Sequence, residues 1–296
     1  MESNKLTVFV CSDENYAPFV ATTAASMCDN TKCYIDLRVI DGGISDSSKQ
    51  KVESIKEKWT NLDISWERVN LEDYFKDFPA LGHISKAAYG RLLLPNLFPE
   101  IDCAIYSDVD IIYCGDISSI NQINLEGYPL AAVPASQRKK AHKIQANMAR
   151  LGLSDKHRYF ESGFLVMDFD QWRRKDVFNG LLKLEEKLSD RLLQMDQDLL
   201  NCYFECNYKE LPEIYGVTSP RARRFIDNFG NMRNCVIRHF EGSLKPWLIH
   251  PLKIGRFKSN YMGKDLFWKY ARQTPFYSQL IQRFPIYSKL VSWRLL

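Results

Sequence analysis

One stretch of the sequence decides the fold: the apolar run Cys103-Ala104-Ile105-Tyr106 leads directly into Ser107-Asp108-Val109-Asp110. The run predicts a buried strand, and open α/β sheets place their ligands at the carboxyl ends of such strands. If the chain stays extended, Asp108 and Asp110 share one face and Val109 points away. Two adjacent carboxylates repel each other unless they are protonated or share a cation. The stretch therefore indicates a divalent-metal site that carries a diphosphate.

The spacing of the two aspartates is weak evidence on its own, because Asp168-Phe169-Asp170 and Asp196-Gln197-Asp198 repeat it. We assign no metal to the first of these repeats, since it follows a predicted strand and Asp170 sits where a helix N-cap is expected.

A third ligand for the metal is offered by the segment His239-Phe240-Glu241-Gly242-Ser243-Leu244-Lys245. It combines an imidazole, a glycine that allows close backbone approach and a lysine for phosphate charge. Asp108, Asp110 and His239 together suit Mn²⁺ somewhat better than Mg²⁺, which rarely takes nitrogen ligands. Taken alone, His239 is more often a surface or satisfied core histidine.

The composition is that of a soluble globular protein. The 296 residues are 45% hydrophobic and 26% charged, which suits one large domain with an appendage. The eight cysteines include no Cys-x-x-Cys pair, so reduced thiols of a cytoplasmic protein are expected. The first residues predict neither a signal peptide nor a membrane span.

Alternating strand and helix patterns predict an α/β fold in which residues 1–250 form one domain. No Gly-x-Gly-x-x-Gly or Gly-Lys-Ser/Thr loop is present, so phosphates must be held by other means. The predicted strands are Leu6–Val10, Ile35–Ile40, Ile64–Val69, Cys103–Tyr106, Leu130–Val133 and Phe164–Met167, and the predicted helices are Pro18–Met27, Asp46–Lys58, Ser85–Leu94 and one from Gln171.

Residues 251–296 form a basic, aromatic-rich tail in which Asp265 is the one acid. Such amphipathic segments bind anionic interfaces, so peripheral association with the inner face of the cell membrane is expected. The alternative is a helical tail that packs on the main domain with its lysines in water. Nucleic acid is a poorer partner, since no recognised binding motif accompanies the charge.

Five motifs occur in order along the chain: Ser12–Ala17, His83–Ser85 with Tyr89–Leu92, Tyr106–Asp110, Asp196–Asn201 and His239–Trp247. Over residues 6 to 250 the chain resembles bacterial retaining glycosyltransferases of family 8, which include lipooligosaccharide α-galactosyltransferases, with glycogenin as a distant relative. The resemblance implies a GT-A fold, a Rossmann-like mixed sheet flanked by helices. It also implies a UDP-sugar donor, Mn²⁺, a glycolipid or oligosaccharide acceptor and retention at the anomeric carbon.

The resemblance also implies roles for individual residues. Those expected to contact the uridine, ribose and diphosphate of the donor are Cys11, Ser12, Asp13, Asn15, Tyr16, Arg91, Asp108, Val109, Gly242 and Lys245, and those expected around the donor sugar are Glu161, Ser162, Asp196 and Gln197. Asp108, Asp110 and His239 would bind the metal. Read without the resemblance, Tyr16 is a packing residue, Arg91 a partner in a surface salt bridge, and Asp196 and Asp198 acids favoured at a helix N-terminus.

The expected catalytic residues are Arg91, Asp196, Gln197 and Asp198. Gln197 matches the residue beside the anomeric carbon, but a neutral amide is a poor nucleophile. Front-face attack is therefore favoured, with Gln197 stabilising the transition state and a leaving phosphate oxygen assisting acceptor deprotonation. Asp196 would hydrogen-bond sugar hydroxyls, and Asp198 would do the same or orient Gln197.

Two departures from the family pattern leave the donor sugar open. Glu161 stands where relatives usually carry Asn, and Val133-Pro134-Ala135-Ser136 lacks the acid often found after that strand. A hexose, galactose or glucose, is expected, with lipopolysaccharide or a related glycolipid as acceptor. The alternatives are a catalytically impaired protein that binds nucleotide sugars and a self-glycosylating protein like glycogenin.

Overall fold

The fold is seen in a computed structural model that describes residues 5–76, 78, 86–135, 137–222, 224–225, 232, 234–242, 245–247 and 264–283. Its N-terminal part alternates strands and helices as the sequence predicts. Strands β1 (Lys5–Ser12), β2 (Tyr34–Asp41) and β3 (Leu62–Arg68) are parallel neighbours. Helix α1 (Ala17–Asn30) connects β1 to β2. Helix α2 (Asp46–Glu53) and the 3-10 turn Ser54–Glu57 connect β2 to β3.

The main sheet has seven strands in the order β3-β2-β1-β4-β7-β6-β8. The further strands are β4 (Cys103–Ser107), β6 (Leu130–Pro134), β7 (Phe160–Asp168) and β8 (Lys209–Glu210). β4 is parallel to β1, while β7 is antiparallel to both β4 and β6. β2 and β4 flank β1 on opposite sides, which opens a crevice at the carboxyl ends of β1 and β4.

A second, two-stranded sheet lies beside this crevice. β5 (Ile111–Tyr113) pairs antiparallel with β9 (Ile237–His239), and Ile111 is opposite His239. The pairing brings a segment from late in the chain next to the end of β4.

Side chains alternate between two apolar cores, one on each face of the main sheet. Val8 and Val10 of β1 belong to the core that includes α1, and Phe9 and Cys11 to the other. The remaining helices are α3 (Glu72–Phe75), α4 (Leu94–Leu97), α5 (Gln137–Leu151), α6 (Phe169–Arg174), α7 (Val177–Leu188), α8 (Asp196–Tyr203) and α9 (Ser219–Ala222). All eight cysteines are free thiols.

The helix predicted at Ser85–Leu94 was wrong in type. Residues Lys86–Leu92 form a 3-10 helix, and α4 follows it. A 3-10 helix places residues three apart on one line, so Ala88 and Arg91 face the same crevice. His83, Ile84 and Ser85 of the predicted motif lie outside the described residues.

The predicted N-cap at Asp170 was also wrong. β7 runs to Asp168, whose Oδ1 accepts a hydrogen bond from the Gln171 backbone N at 2.8 Å and so caps α6. Asp170 lies inside the helix and pairs with Arg174 at 2.7 Å. The helix follows the strand without an intervening loop, so its N-cap lies two residues earlier than predicted.

Two short helices of the tail, Lys264–Ala271 and Tyr277–Arg283, are described. Their apolar residues are buried in the core that includes α1, and the Phe267 ring centroid is 4.9 Å from that of Trp247. The Tyr270 hydroxyl accepts a hydrogen bond from Asn30 at the end of α1, at 2.8 Å. This part of the tail therefore packs on the main domain, and residues 284–296 lie outside the described residues. Within the described part of the chain, every helix is too short or too polar to cross a bilayer.

Candidate active site

A cleft of about 490 Å³ opens at the carboxyl ends of β1 and β4. Its lining includes most residues that the sequence predicts for the site: Cys11, Ser12, Asp13, Tyr16, Arg91, Asp108, Val109, Asp110, Glu161, Ser162, Asp196, Gln197, His239, Gly242 and Lys245. Of the predicted residues, Asn15 and Asp198 are not in this lining. The volume falls within the range of about 300–1,000 Å³ that is usual for small-molecule sites.

Asp108, Asp110 and His239 converge as the sequence predicts, although not through strand geometry. Each offers a ligand atom, and these atoms lie within 4.8 Å of one another. β4 ends at Ser107, and residues 108–110 form the turn between β4 and β5. The turn is fixed from both sides, because the Asp108 N donates to the Gly163 carbonyl at 2.8 Å and the Asp110 carbonyl accepts from Phe240 N at 3.0 Å.

The three residues form a site that attracts positive charge. His239 Nε2 lies 3.1 Å from Asp110 Oδ1 and 3.8 Å from Asp108 Oδ2. Burial opposes a charged imidazole, yet Asp110 and Asp108 raise the pKa of His239 to about 9. Burial likewise opposes ionisation of Asp110, but Lys245 and His239 hold the pKa of that carboxyl well below its usual range.

The donor set fits a divalent cation. Asp110 Oδ1 is buried and makes no hydrogen bond of good geometry within the described residues, although His239 Nε2 is close. Buried polar atoms are normally satisfied, so an unsatisfied carboxylate oxygen facing an imidazole nitrogen suggests a shared ligand. Two carboxylates and one imidazole are ligands that divalent cations take in proteins.

Gly163 makes room for two of the three ligands, His239 and Asp108. A Cβ at this position would lie 2.4 Å from His239 Cε1 and 2.7 Å from Asp108 Oδ2. A glycine inside a strand often marks such a close approach, so the sequence did carry a signal for this residue.

Arg91 connects the metal-ligand cluster to the rest of the cleft. It is only 3% exposed, and its guanidinium lies 4.2 Å from the ring centroid of Tyr106. Nη2 pairs with Asp108 Oδ1 at 2.9 Å, Nη1 donates to the Ser162 carbonyl at 2.6 Å, and Nε lies 3.3 Å from Asp196 Oδ2. Arg91 is therefore buried and holds Asp108, Ser162 and Asp196 together, and it is not part of a surface salt bridge.

Asp196 faces the cleft from the first turn of α8. Its Oδ2 accepts from the Ser162 hydroxyl at 3.0 Å. Burial raises the pKa of Asp196 to about 6, against the opposing effect of Arg91. The carboxyl group is held in place by these neighbours and can accept a hydrogen bond from a sugar hydroxyl.

Gln197 and Asp198 differ in their position relative to the cleft. Gln197 lines it, with Oε1 accepting from Ser162 N at 3.0 Å and Nε2 donating to the Tyr159 hydroxyl at 3.3 Å. Asp198 is fully buried and accepts from the same Tyr159 hydroxyl at 2.6 Å. Asp198 therefore does not line the cleft, and its position fits the second of its two expected roles, orientation of Gln197.

The loop expected to bind uridine lies at one end of the cleft. Asp13 Oδ1 accepts from Asn15 N at 2.9 Å, and the Tyr16 ring packs near Phe19 with centroids 5.4 Å apart. Glu14, a residue of the same loop, accepts from Ser45 N and from the Ser48 hydroxyl, each at 2.7 Å. These bonds hold the loop against α2.

Several cleft residues were missed from the sequence: Tyr106, Gly163, Ala87, Ala88, Leu193, Gln194 and Glu241. Glu241 is notable because its carboxyl group hydrogen-bonds that of Glu161. Burial and this neighbour raise the pKa of Glu161 to about 8. Glu161 and Glu241 therefore place two further carboxyl groups in the cleft, in addition to those of Asp108 and Asp110.

Comparison with solved structures identifies the fold. The galactosyltransferase LgtC, solved in complex with donor and acceptor sugar analogues, matches with a TM-score of 0.78 at 24% sequence identity, covering 91% of this chain and 96% of that chain. The glycosyltransferase GlyE of Streptococcus pneumoniae TIGR4 matches with a TM-score of 0.62 at 18% identity, covering 95% of this chain and 64% of that chain. The fold is the GT-A fold of glycosyltransferases.

Sequence comparison then gives the family. The profile of Glycosyl transferase family 8 matches residues 7–250. General stress protein A of Bacillus subtilis is 28% identical over 253 residues, which cover 80% of this chain and 85% of that protein. The lipopolysaccharide 1,2-glucosyltransferase of Escherichia coli K12 is 26% identical over 245 residues, which cover 79% of this chain and 70% of that protein. The chain belongs to glycosyltransferase family 8, which confirms the resemblance seen in its motifs.

Proposed function

We propose that this protein is a metal-dependent, retaining hexosyltransferase that moves galactose or glucose from a UDP-sugar to a lipopolysaccharide, another glycolipid or an oligosaccharide. One observation carries the proposal: a single cleft joins the Asp108, Asp110 and His239 cluster to Lys245 on one side and to the Arg91 network on the other. The names of two similar proteins, a galactosyltransferase and a lipopolysaccharide glucosyltransferase, support the sugar and acceptor classes.

The diphosphate of the donor would lie between the metal-ligand cluster and Lys245. Burial opposes the charge of Lys245, but its partner Asp110 raises the pKa, so the ammonium is retained. Gly242 has φ +71 and open space where a Cβ would stand, which lets the backbone approach a phosphate. A divalent cation bound by Asp108, Asp110 and His239 would neutralise negative charge on the departing UDP.

The transfer step depends on residues at the other end of the cleft. Arg91 and Ser162 hold Asp196 so that its carboxylate can accept from hydroxyls of the donor sugar. The bond between the anomeric carbon and the diphosphate oxygen breaks, and the acceptor oxygen bonds to the same face of that carbon. The acceptor proton passes to the departing phosphate oxygen. Gln197 is a neutral amide and a poor nucleophile, so its role is to stabilise the transition state through a hydrogen bond to the transferring group.

Peripheral association with an anionic membrane is a further part of the proposal. It is supported by the cations of the tail and by a glycolipid acceptor, which is presented at a membrane surface. The contact is proposed for the basic tail, residues 251–296, whose helices Lys264–Ala271 and Tyr277–Arg283 pack on the main domain while Arg272 stays exposed. A cytoplasmic enzyme at the inner face of the cell membrane fits these features.

A donor panel tests the proposal. The protein is incubated with UDP-galactose, UDP-glucose and their N-acetylated forms, with Mn²⁺ or EDTA, and with or without a glycolipid extract. We expect metal-dependent UDP release from a hexose donor, increased by acceptor, and an α-linked product by NMR. UDP binding without release from any donor would contradict the proposal and support a protein that only binds nucleotide sugars. Mass gain on the protein itself would indicate self-glycosylation.

A further inference from the structure

We propose that Tyr159 and Asp198 are positioning residues for sugar transfer, which fix the orientation of the Gln197 amide through a chain of hydrogen bonds. The inference rests on the proposed function, in which Gln197 lies beside the anomeric carbon. Neither Tyr159 nor Asp198 lines the cleft, so both act through Gln197.

The orientation of the amide follows from its partners. Ser162 N is a backbone donor, so the atom 3.0 Å away must be the carbonyl oxygen of Gln197. The amide nitrogen then faces the Tyr159 oxygen at 3.3 Å. An amide nitrogen carries two hydrogens, and within the described residues this bond uses one of them. The other is available to a substrate in the cleft.

Tyr159 can accept from Gln197 because its own hydrogen is committed elsewhere. The hydroxyl donates to Asp198 Oδ1 at 2.6 Å. Burial and the Asp198 carboxylate raise the pKa of Tyr159 well above its usual range, so the hydroxyl keeps this hydrogen. The direction of the chain is therefore fixed: Gln197 donates to Tyr159, and Tyr159 donates to Asp198.

Asp198 terminates the chain with a carboxylate that the protein holds firmly. It is fully buried, and Oδ2 accepts from Arg150 Nη2 at 2.9 Å and from the backbone N of Leu193 and Gln194 at 2.8 Å each. Residues two apart on a helix point to opposite sides, so Asp196 faces the cleft while Asp198 faces inward. A buried charge with this many donors has little freedom to move.

The same carboxylate also holds a strained backbone beside the cleft. Met195 is fully buried with φ +50, a conformation that residues with side chains rarely adopt. It lies between the two backbone donors to Asp198 and the pair Asp196 and Gln197. Strain of this kind persists where the surroundings determine the conformation, and here it sets the direction in which α8 enters the cleft.

A double-mutant cycle tests the inference. Tyr159→Phe, Gln197→Ala and the double variant are compared for kcat, donor KM and UDP affinity. Tyr159→Phe should lower kcat roughly 5- to 100-fold, since a hydrogen bond and the amide orientation are lost. Donor KM and UDP affinity should stay within about twofold, because other residues of the cleft are expected to contact UDP. When Gln197 is already alanine, Tyr159→Phe should change kcat less than about twofold.

Tyr208→Phe is a matched control. This tyrosine is also buried next to β7 and donates to the Arg158 carbonyl at 2.6 Å, but it does not line the cleft or contact Gln197. Its kcat should stay within about twofold of wild type, because only a structural hydrogen bond is lost. If Tyr159→Phe does not fold, Arg150→Gln takes its place in the double-mutant cycle with Gln197→Ala. This variant removes a partly exposed partner of Asp198.

The outcomes separate this inference from the function on which it rests. An active wild-type enzyme in which Tyr159→Phe keeps full kcat, or lowers it equally with and without Gln197, would overturn the positioning role alone. A wild-type protein that releases no UDP would overturn both. The side-chain amide resonance of Gln197 gives an activity-free readout: we expect it to shift in Tyr159→Phe and not in Tyr208→Phe.

Discussion

Single residues in the cleft work through their neighbours. Asp108 accepts from the Tyr106 hydroxyl at 2.7 Å and pairs with Arg91, while its second oxygen faces His239. Arg91 also holds the Ser162 carbonyl, so the metal-ligand cluster and the sugar end of the cleft share one buried cation. A substitution in this network should therefore affect more than one binding function.

Gly163→Ala should weaken metal binding. The added Cβ would lie 2.4 Å from His239 Cε1, and overpacking of about 1–3 kcal/mol corresponds to a loss in Mn²⁺ affinity of roughly 5- to 160-fold. Isothermal titration calorimetry with Mn²⁺ measures this affinity in the variant and in wild type. Gly115→Ala serves as the control, since its Cβ would meet no atom closer than 3.4 Å. Equal Mn²⁺ affinity in wild type and Gly163→Ala would show that the glycine has no role in the metal site.

Glu161→Asn should change which UDP-sugar is used. Glu161 and its partner Glu241 both line the cleft, and a site built from hydrogen-bonding groups discriminates strongly between sugars. We expect the ratio of kcat/KM between two donors to change by about tenfold, with UDP affinity unaltered. The donor panel measures this, with Glu161→Gln as the isosteric control. If donor preference and rate both stay the same, Glu161 is merely structural.

The types of residue in the site could be predicted from the sequence, but their partners could not. Asp13, Arg91, Asp108 and Gln197 were found because acid, guanidinium and amide groups recur in recognisable motifs. Glu241 was missed, since its contact with Glu161 joins distant segments and no local pattern reports such a contact.

At the scale of elements, the pairing of β5 with β9 completes the metal-ligand cluster. It sets Ile111 opposite His239, and so places the imidazole beside Asp110. Asp108 and Asp110 converge as predicted, but through a turn at 108–110 and not through the side-chain alternation of an extended strand. Local propensity predicted six of the seven strands of the main sheet, all but the two-residue β8. It could not predict the pairing of β5 with β9, because these strands have three residues each.

Asp168→Ala should destabilise the protein by about 0.5–2 kcal/mol through loss of the α6 N-cap. Asp170→Ala removes only an exposed pair with Arg174, and should cost about 0.5 kcal/mol or less. Urea denaturation of the two variants measures the free energy of unfolding. An equal or larger cost for Asp170→Ala would restore Asp170 as the cap.

At the scale of the whole molecule, the described tail helices belong to the main apolar core. The Phe267 ring packs against both Phe19 and Trp247, with centroid distances of 6.0 and 4.9 Å. The sequence predicted amphipathic helices here but not which surface covers their aromatic face, because a membrane and a protein core favour the same residues.

Phe267→Ala should destabilise the whole domain by about 3–5 kcal/mol, in a single unfolding transition. Arg272→Ala, an exposed change in the same tail segment, should stay within about 0.5 kcal/mol of wild type. Thermal unfolding followed by circular dichroism and by UDP binding measures both. Two separate transitions, or an unchanged midpoint for Phe267→Ala, would show that the tail is an independent module.

The most direct test of the central claim is metal-dependent UDP release by wild type, Asp110→Asn and Asp170→Asn. Both substitutions alter an aspartate of an Asp-x-Asp motif, but only Asp110 lies in the cleft. We predict that Asp110→Asn lowers Mn²⁺-dependent release by on the order of 100-fold or more, and that Asp170→Asn stays within about twofold of wild type. Wild-type release by Asp110→Asn, with the same response to EDTA, would contradict the assignment of this cleft as the active site.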